Sequence, residues 1–582
     1  MSSAAAGEKT TGKQTRRHIF VAIMILVVAG IVYRSCIDAS FLKDWDDYDY
    51  IVNNPAAQGL SLEHLRLAFT RSFLGNYAPL HILSYAIEYS LWGLHPAGYH
   101  VTNIVIHAIN ALLVYTLVWR LYGSLPLAAS SALIFLVHPV QVESVAWASQ
   151  RKNLLSLSFL LFSAIQYVRW RNTGKTSGYI WSFLGFVLSL MTKVAGVGFP
   201  LALFLLDRSH FTKRPVTRAL RELLPYVLAS AVFSMIAVIS QSRELQGGRV
   251  DWHGGSPLVT FITMLPVMAT YIRMVFLPFG LSAIYDPIIR RSFMDPTVIM
   301  SFLLIAVVLG GMIFGWRKRP RMAFWGWFAV IMIAPVCQVM PIITLMNDRY
   351  LYFPFVGIAV GIVLCGSQFV DYLHKRGKSA TVFWFVCAGI LIAFGIASAK
   401  RSEVWSDPQL FWTDTVSKAP GHPFARFGLG SLYADIGNEE AAVREYETLL
   451  SLPAIGSLLP NNVTVPETHA RLGVIYSSNG DPARGVEHLR KAVSLFPSCL
   501  PYVRNLGFAL ASSKKYREAR NVLGGVLKTE PKDIRVLCFM SGLSLKLGET
   551  AQRDRYREEA EAIDPQSALG ECERTDEFLD SH

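Results

Sequence analysis

The sequence predicts an all-α protein in two parts. The first is a polytopic bundle of membrane helices over residues 19–400, with about eleven spans. The second is a solenoid of helix hairpins over residues 423–567. Two observations predict this. The 582-residue chain is 52% hydrophobic and only 17% charged, and its long apolar runs stop near residue 400, after which it reads as a soluble helical protein. Beyond residue 423 a 34-residue period appears: Leu472-Gly473 recurs as Leu506-Gly507, and Pro497, Pro531 and Pro565 keep step.

Residues 1–18 form a basic tail, expected in the cytoplasm. Lys9, Lys13, Arg16 and Arg17 precede an apolar run from Ile19 to Tyr33. No small-residue cleavage site follows, so a retained first helix is expected rather than a signal peptide. Further apolar segments lie near 100–119, 126–142, 153–169, 179–192, 194–207, 223–240, 258–278, 297–316, 323–341, 351–371 and 381–399. Basic clusters at 169–175, 208–221 (including Lys213), 317–321 and 375–378 mark the cytoplasmic loops. That rule accounts for the net charge of +13 without a nucleic-acid partner. The loops around Asp46, Glu143, Arg243 and Asp348 then face outward, with the C-terminal part. Twelve crossings cannot join an inside start to an outside end. Segment 258–278, carrying Pro266 and Pro278, is therefore expected to be re-entrant or interfacial.

Residues 401–422 read as a linker and 568–582 as an acidic tail. Between them, Gly437, Gly480 and Gly548 occupy turn positions. Tyr433 and Tyr476 match in first helices, and Ala442 and Ala519 in second helices, with an insert near 454–465. This is the tetratricopeptide signature, about four hairpins each covering the apolar face of the next. Such arrays bind a peptide or partner in their concave face. The seven cysteines show no metal or redox spacing. Cys337, Cys365 and Cys387 fall in apolar segments; Cys499, Cys538 and Cys572 leave room for one disulfide whose pairing the sequence does not give.

The residues that could carry chemistry cluster in the outward loops. Asp46 and Asp47 lie in Trp45-Asp46-Asp47-Tyr48-Asp49-Tyr50, just after the first span. A carboxylate there can act as a general base on an alcohol, and adjacent aspartates cannot both point at one target. One would face the site; the other would support it or hold a divalent cation. His100, Asn103 and His107 share a helical face, where interhelical hydrogen bonding is the plainer expectation than metal binding. The loop from His138 holds Glu143, Trp147, Arg151 and Lys152; on one helix Glu143 and Trp147 would face together, with Arg151 a turn further. Arg151 and Lys152 could hold a phosphate. Lys193 sits alone at a hairpin apex, where it either snorkels or meets a lipid phosphate. Arg349, beside Asp348 at the start of a span, is placed for a phosphate, with Asp348 orienting it.

The ordered set Asp46-Asp47…Asn54-Pro55, Pro79-Leu80, Pro96-Ala97-Gly98-Tyr99-His100…Asn103…His107, His138-Pro139…Glu143…Trp147…Arg151-Lys152, Lys193, Asp348-Arg349-Tyr350 and the repeat tail resembles bacterial relatives of the transmembrane and tetratricopeptide-containing O-mannosyltransferases, of the GT-C glycosyltransferase superfamily. The resemblance implies a GT-C-like membrane domain in the bacterial cytoplasmic membrane, with a periplasmic repeat domain. It implies inverting transfer of a sugar from a polyprenyl-phosphate donor to a protein Ser or Thr hydroxyl. Asp46 or Asp47 would be the base, and Arg349, with Lys193, Arg151 or Lys152, would stabilise the leaving phosphate. The array would present the acceptor polypeptide. Departures are Val194 after Lys193, where eukaryotic members often have an acid, and Ala78 before Pro79. Two other readings stay open: the same chemistry on a lipid or glycan acceptor, and a non-enzymatic assembly factor.

Overall fold

The computed structural model describes residues 2–43, 45–211, 214–244, 251–452 and 464–581. Lys213, the side chains of Lys9, Lys13 and Arg243, and nearly all of the insert near 454–465 lie outside the described residues. Among the described residues there is no strand, only an isolated bridge between Phe73 and Asn76. The chain divides into two compact units, 1–419 and 420–582.

The first unit runs α1 (Ser2–Val32), α2 (Leu62–Thr70), α3 (Pro79–Trp92), α4 (Pro96–Tyr122), α5 (Leu125–Val137), α6 (Val142–Ala146), α7 (Arg151–Thr173), α8 (Thr176–Leu190), α9 (Phe199–His210), α10 (Val216–Glu244), α11 (Pro257–Phe276), α12 (Pro296–Lys318), α13 (Pro320–Ile333), α14 (Pro354–Lys375), α15 (Thr381–Ser406) and α16 (Pro408–Lys418). All twelve apolar segments are helical over most of their length. Seven starts carry a proline at their first position, where the missing N–H is no loss. Gly123 and Gly174 end α4 and α7 in the left-handed conformation at φ +65° and +72°.

Among the described residues, seven helices are long and apolar enough to cross a membrane: Gln14–Val32 of α1, Val216–Gln241 of α10, and α4, α11, α12, α14 and α15. A bent pair, α5 with Pro139–Ala146 at 57°, would make an eighth. The count of eleven is not reached by length and composition, because α8 and α13 have only 15 and 14 residues and α9 has 12. Such short helices suit a bundle whose ends are taken up by polar turns. Helix α11, expected to be re-entrant or interfacial, is long and apolar enough to cross, and it is tied by hydrogen bonds to His138 and to the 342–347 stretch. His253, just before it, donates from Nε2 to Ile342 O at 2.8 Å, the Tyr271 hydroxyl donates to Asn347 O at 3.1 Å and accepts from Asn347 N at 3.0 Å, and His138 Nε2 donates to Val275 O at 3.0 Å. Close approach inside the bundle depends on small residues. A Cβ at Gly185 would strike Phe162 of α7, and one at Gly357 would strike the α13 backbone at Trp325.

Residues 401–418, expected as linker, instead finish α15 and form α16, with Trp405, Phe411 and Trp412 buried. The apolar Trp-Phe-Trp content binds them to the first unit, whereas a free linker would be polar.

Among the described residues, the second unit has four helix hairpins: α17 (Pro423–Asp435) with α18 (Glu439–Ser451), α19 (Thr464–Ser478) with α20 (Pro482–Leu495), α21 (Leu500–Ser512) with α22 (Tyr516–Thr529), and α23 (Ile534–Lys546) with α24 (Thr550–Ile563). Gly437, Gly480 and Gly548 turn the hairpins at φ +77°, +82° and +79°. Gly430, Gly473 and Gly507 lie where Tyr446, Leu489 and Leu523 of the following helix press in, so a Cβ at each would collide. The segment expected as an acidic tail is a ninth helix, α25 (Pro565–Ser581). Its Ala568, Cys572 and Leu579 are buried, covering the face that the last hairpin would leave bare. A Cys538–Cys572 disulfide staples α25 to α23 across 34 residues. Cys572→Ser is expected to destabilise this unit by about 2–4 kcal/mol, read as a lower melting temperature of the non-reduced protein; reducing agent should lower the wild type alike and leave the variant unmoved.

Candidate functional site

One end of the first unit gathers the C-terminal ends of α1, α8 and α13 and the N-terminal ends of α7, α9 and α14. The basic turns after α7, α12 and α14 lie at the opposite helix ends, so site and basic turns are separated by the length of the bundle.

The chain leaves α1 at Val32 and returns through Trp45–Val52. The two aspartates face apart. Asp47 is 1% exposed. It accepts from Leu42 N at 3.0 Å, from Ser149 N at 2.9 Å and from the Ser149 hydroxyl. Burial pushes its carboxyl up to about 6, while those donors pull the other way. It fastens the first loop to the 148–150 turn. Asp46 is partly open, with a third of its side chain exposed, and its carboxylate lies 3.7 Å from Lys152 Nζ. Trp45 packs edge-on against Trp147 and Phe411 at 5.2 and 5.4 Å, so α16 walls this loop.

The stretch 138–152 is not one helix. It is a turn at Pro139–Gln141, the short α6, an extended Trp147 (φ −81°, ψ 119°), a turn at Ala148–Gln150, then α7. The break sends Glu143 and Arg151 to different places, against the expectation that they share a face. Arg151 is fully buried. Its guanidinium pairs with Glu88 of α3 and donates to Asn103 Oδ1 at 2.9 Å and Tyr99 O at 2.6 Å. It is not presented to a phosphate. Lys152, one residue on, lies over the Tyr50 ring at 4.4 Å and beside Asp46.

Lys193 reaches Asn153 Oδ1 at 2.5 Å from the turn between α8 and α9. Burial holds its ammonium well below the usual lysine value, and Lys152 and Arg349 push the same way. An anion among the three relieves that repulsion. Arg349 lies over Trp147 at 5.2 Å and pairs with Glu143. Its backbone N–H donates to Glu143 Oε2 at 2.7 Å. Glu143 therefore orients Arg349, a role expected of Asp348. Asp348 is buried and accepts from the Tyr285 hydroxyl at 2.5 Å. Burial, helped by Glu143, pushes its carboxyl up to about 8.

The structure thus brings together Asp46, Lys152, Lys193, Arg349 and Glu143: three cations to two carboxylates, with Asp46 the open acid. The other expected residues build the frame. Asn103 donates to Val145 O, Trp147 O and Ala148 O at 3.3, 3.1 and 3.4 Å. His107 bonds Tyr352 at 2.9 Å and Leu136 O at 3.1 Å. His138 caps its turn, and His100 is buried at the start of α4. Among the described residues no three His, Cys, Asp or Glu side chains gather as a metal site. With Asp47 committed, the tandem aspartates offer a divalent cation only Asp46. Sequence reasoning missed Glu88, Ser149, Asn153 and Tyr285; of these only Glu88, an acid in an apolar stretch, carries a sequence signal.

The tetratricopeptide repeat family model matches residues 425–454 and 466–499. Curated relatives of the chain are protein O-mannosyl-transferases. It is 23% identical to F38B6.6 of Caenorhabditis elegans over 77% of this chain and 65% of that one. It is 23% identical to TMTC4 of Mus musculus over 72% and 65%. The chain therefore spans about two thirds of the length of these relatives. Among solved structures it is similar to ArnT from Cupriavidus metallidurans bound to undecaprenyl phosphate, 14% identical over 79% of this chain and 80% of that one, at a TM-score of 0.35. It is also similar to the Archaeoglobus fulgidus oligosaccharyltransferase tethered with an acceptor peptide, 13% identical over 75% and 59%, at a TM-score of 0.36.

Proposed function

We propose that this chain is a membrane glycosyltransferase that moves a sugar from a polyprenyl-phosphate donor to a Ser or Thr hydroxyl of a polypeptide on the outer face of the membrane. The observation that carries this reading is the pairing of one open carboxylate, Asp46, with three cations, Lys152, Lys193 and Arg349, at one end of a bundle of apolar helices. Lipid brings the donor's tail; the cations take its phosphate. The acceptor oxygen attacks the anomeric carbon as the bond from that carbon to the phosphate oxygen breaks. The hydroxyl proton passes to Asp46, and the phosphate leaves with the extra negative charge, where the three cations act most strongly. Inversion is the expected outcome, because in a single in-line displacement the acceptor oxygen enters the anomeric carbon on the face opposite the departing phosphate.

The relatives named protein O-mannosyl-transferases favour a protein acceptor and mannose. The repeats add a peptide-binding surface to the same chain. A disulfide in the repeat unit suits an oxidising compartment, and the basic turns opposite the site suit a cytoplasmic far side.

The test is transfer by the full-length protein in liposomes. A Ser/Thr-rich peptide, polyprenyl-phosphate-mannose and the protein should give a peptide carrying one hexose by mass spectrometry. Equal transfer from a nucleotide sugar without the lipid donor, or modification of lipid alone, would overturn the reading.

A further inference from the structure

The Glu143 carboxylate sits in an anion seat. One oxygen takes the Arg349 guanidinium, and the other takes the Arg349 backbone N–H at 2.7 Å. The Nη1 group and the backbone N–H are donors that this residue would offer a phosphate, and both already hold an acid. Glu143 is 1% exposed and Arg349 15% exposed along their side chains, so little water is left to share the arginine. The seat is framed on one side by Trp147, over which the guanidinium lies. Lys152 and Lys193 are left to Asp46 and Asn153.

Physical chemistry makes an occupied seat necessary. An arginine is always charged, and one buried without a partner is strongly destabilising. When no lipid phosphate is bound, something anionic has to stand in. When a phosphate is bound, two anions share one guanidinium.

We propose that Glu143 is an internal substitute for the donor phosphate, which competes for Arg349 and so displaces the polyprenyl-phosphate product after transfer. This rests on the proposed function and adds the step that resets the site. The donor carries a phosphodiester and binds by pushing Glu143 aside. The product carries a phosphomonoester with more negative charge, which three cations would otherwise hold tightly. Glu143 returns to the guanidinium and the backbone N–H as the product leaves. It acts on the lipid through Arg349 and is a positioning residue.

The experiment uses full-length protein in nanodiscs, with citronellyl phosphate as the product probe. Glu143→Gln keeps the size and removes the charge. Its inhibition constant for citronellyl phosphate should fall about tenfold, the effect of one competing interaction of about 1.4 kcal/mol. kcat should fall with it, and a burst of first turnover should appear, because release has become slow. Glu143→Asp, charged but shorter, should show the same shift to a smaller degree, and it serves if the Gln variant does not insert. A raised inhibition constant in either variant would mean that Glu143 only orients Arg349. An unchanged constant would mean that it does not compete. Either overturns the proposal while wild-type transfer stands. Wild-type protein that neither binds citronellyl phosphate nor transfers sugar would overturn the proposed function and this step together.

Discussion

Asp46→Asn should lower sugar transfer by roughly two to four orders of magnitude, the usual weight of a positioned general base. It should leave insertion and melting temperature close to wild type and should not weaken lipid-phosphate binding, because Lys152 loses only an acid that competes for it. Asp46 is the acid that fits, because it is partly open and its only close ion partner among the described residues is Lys152 at 3.7 Å. Its neighbour provides the control. Asp47 holds two backbone N–H groups and a hydroxyl, divided between its two oxygens, so Asp47→Asn keeps an acceptor on one side and turns amide hydrogens toward the buried donor on the other. Unsatisfied buried groups cost about 1–3 kcal/mol each. That variant should fail by instability, with lowered yield and melting temperature, and any folded fraction should retain transfer. Purified protein of each variant, assayed for melting, citronellyl phosphate binding and transfer, separates the two. Full transfer by Asp46→Asn would remove Asp46 as the base.

Much of the fold was legible because a membrane helix and a 34-residue hairpin are both set by local patterns. The twelve apolar segments are helical over most of their length, and the Gly and Ala positions of the repeat fall at turns and close contacts. What was not legible came from short elements and from direction. Helix α3 has only 14 residues and carries His81, Ser84 and Glu88 among its apolar positions, so no run of spanning length marks it. Helix α16 hides its Trp and Phe in what reads as a junction. Direction is harder still. Adjacent residues on a helix point about 100° apart, so Arg151-Lys152 reads as one basic pair although one side chain enters the frame and the other the site. The extended Trp147 decides this, and nothing in 138–152 announces that a helix stops there. Asp348-Arg349 divides in the same way, with Tyr285 and Glu143 as the deciding partners, each distant in sequence.

Arg151 offers the sharpest separation of frame from site. A phosphate ligand, removed, costs donor affinity in a protein that still folds. A buried partner, removed, strands an acid. Arg151 is fully buried, Glu88 is 4% exposed, and three elements meet at the guanidinium: Glu88 on α3, and Tyr99 O and Asn103 on α4, bridged to α7. Arg151→Ala leaves Glu88 uncompensated and frees Asn103 Oδ1 and Tyr99 O, so a loss of about 3–5 kcal/mol is expected. Full-length protein should show this as a collapse of the melting temperature and aggregation during extraction. Adding Glu88→Leu to Arg151→Met removes both charges and fills the space, and should recover most of the lost stability, since an apolar pair of similar volume is often no worse than a buried ion pair. The double variant should also keep its citronellyl phosphate affinity, because Lys152, Lys193 and Arg349 are untouched. A stable single Arg151→Ala variant that had lost only lipid-phosphate binding would instead return Arg151 to the phosphate clamp and require its guanidinium to leave Glu88 when donor arrives.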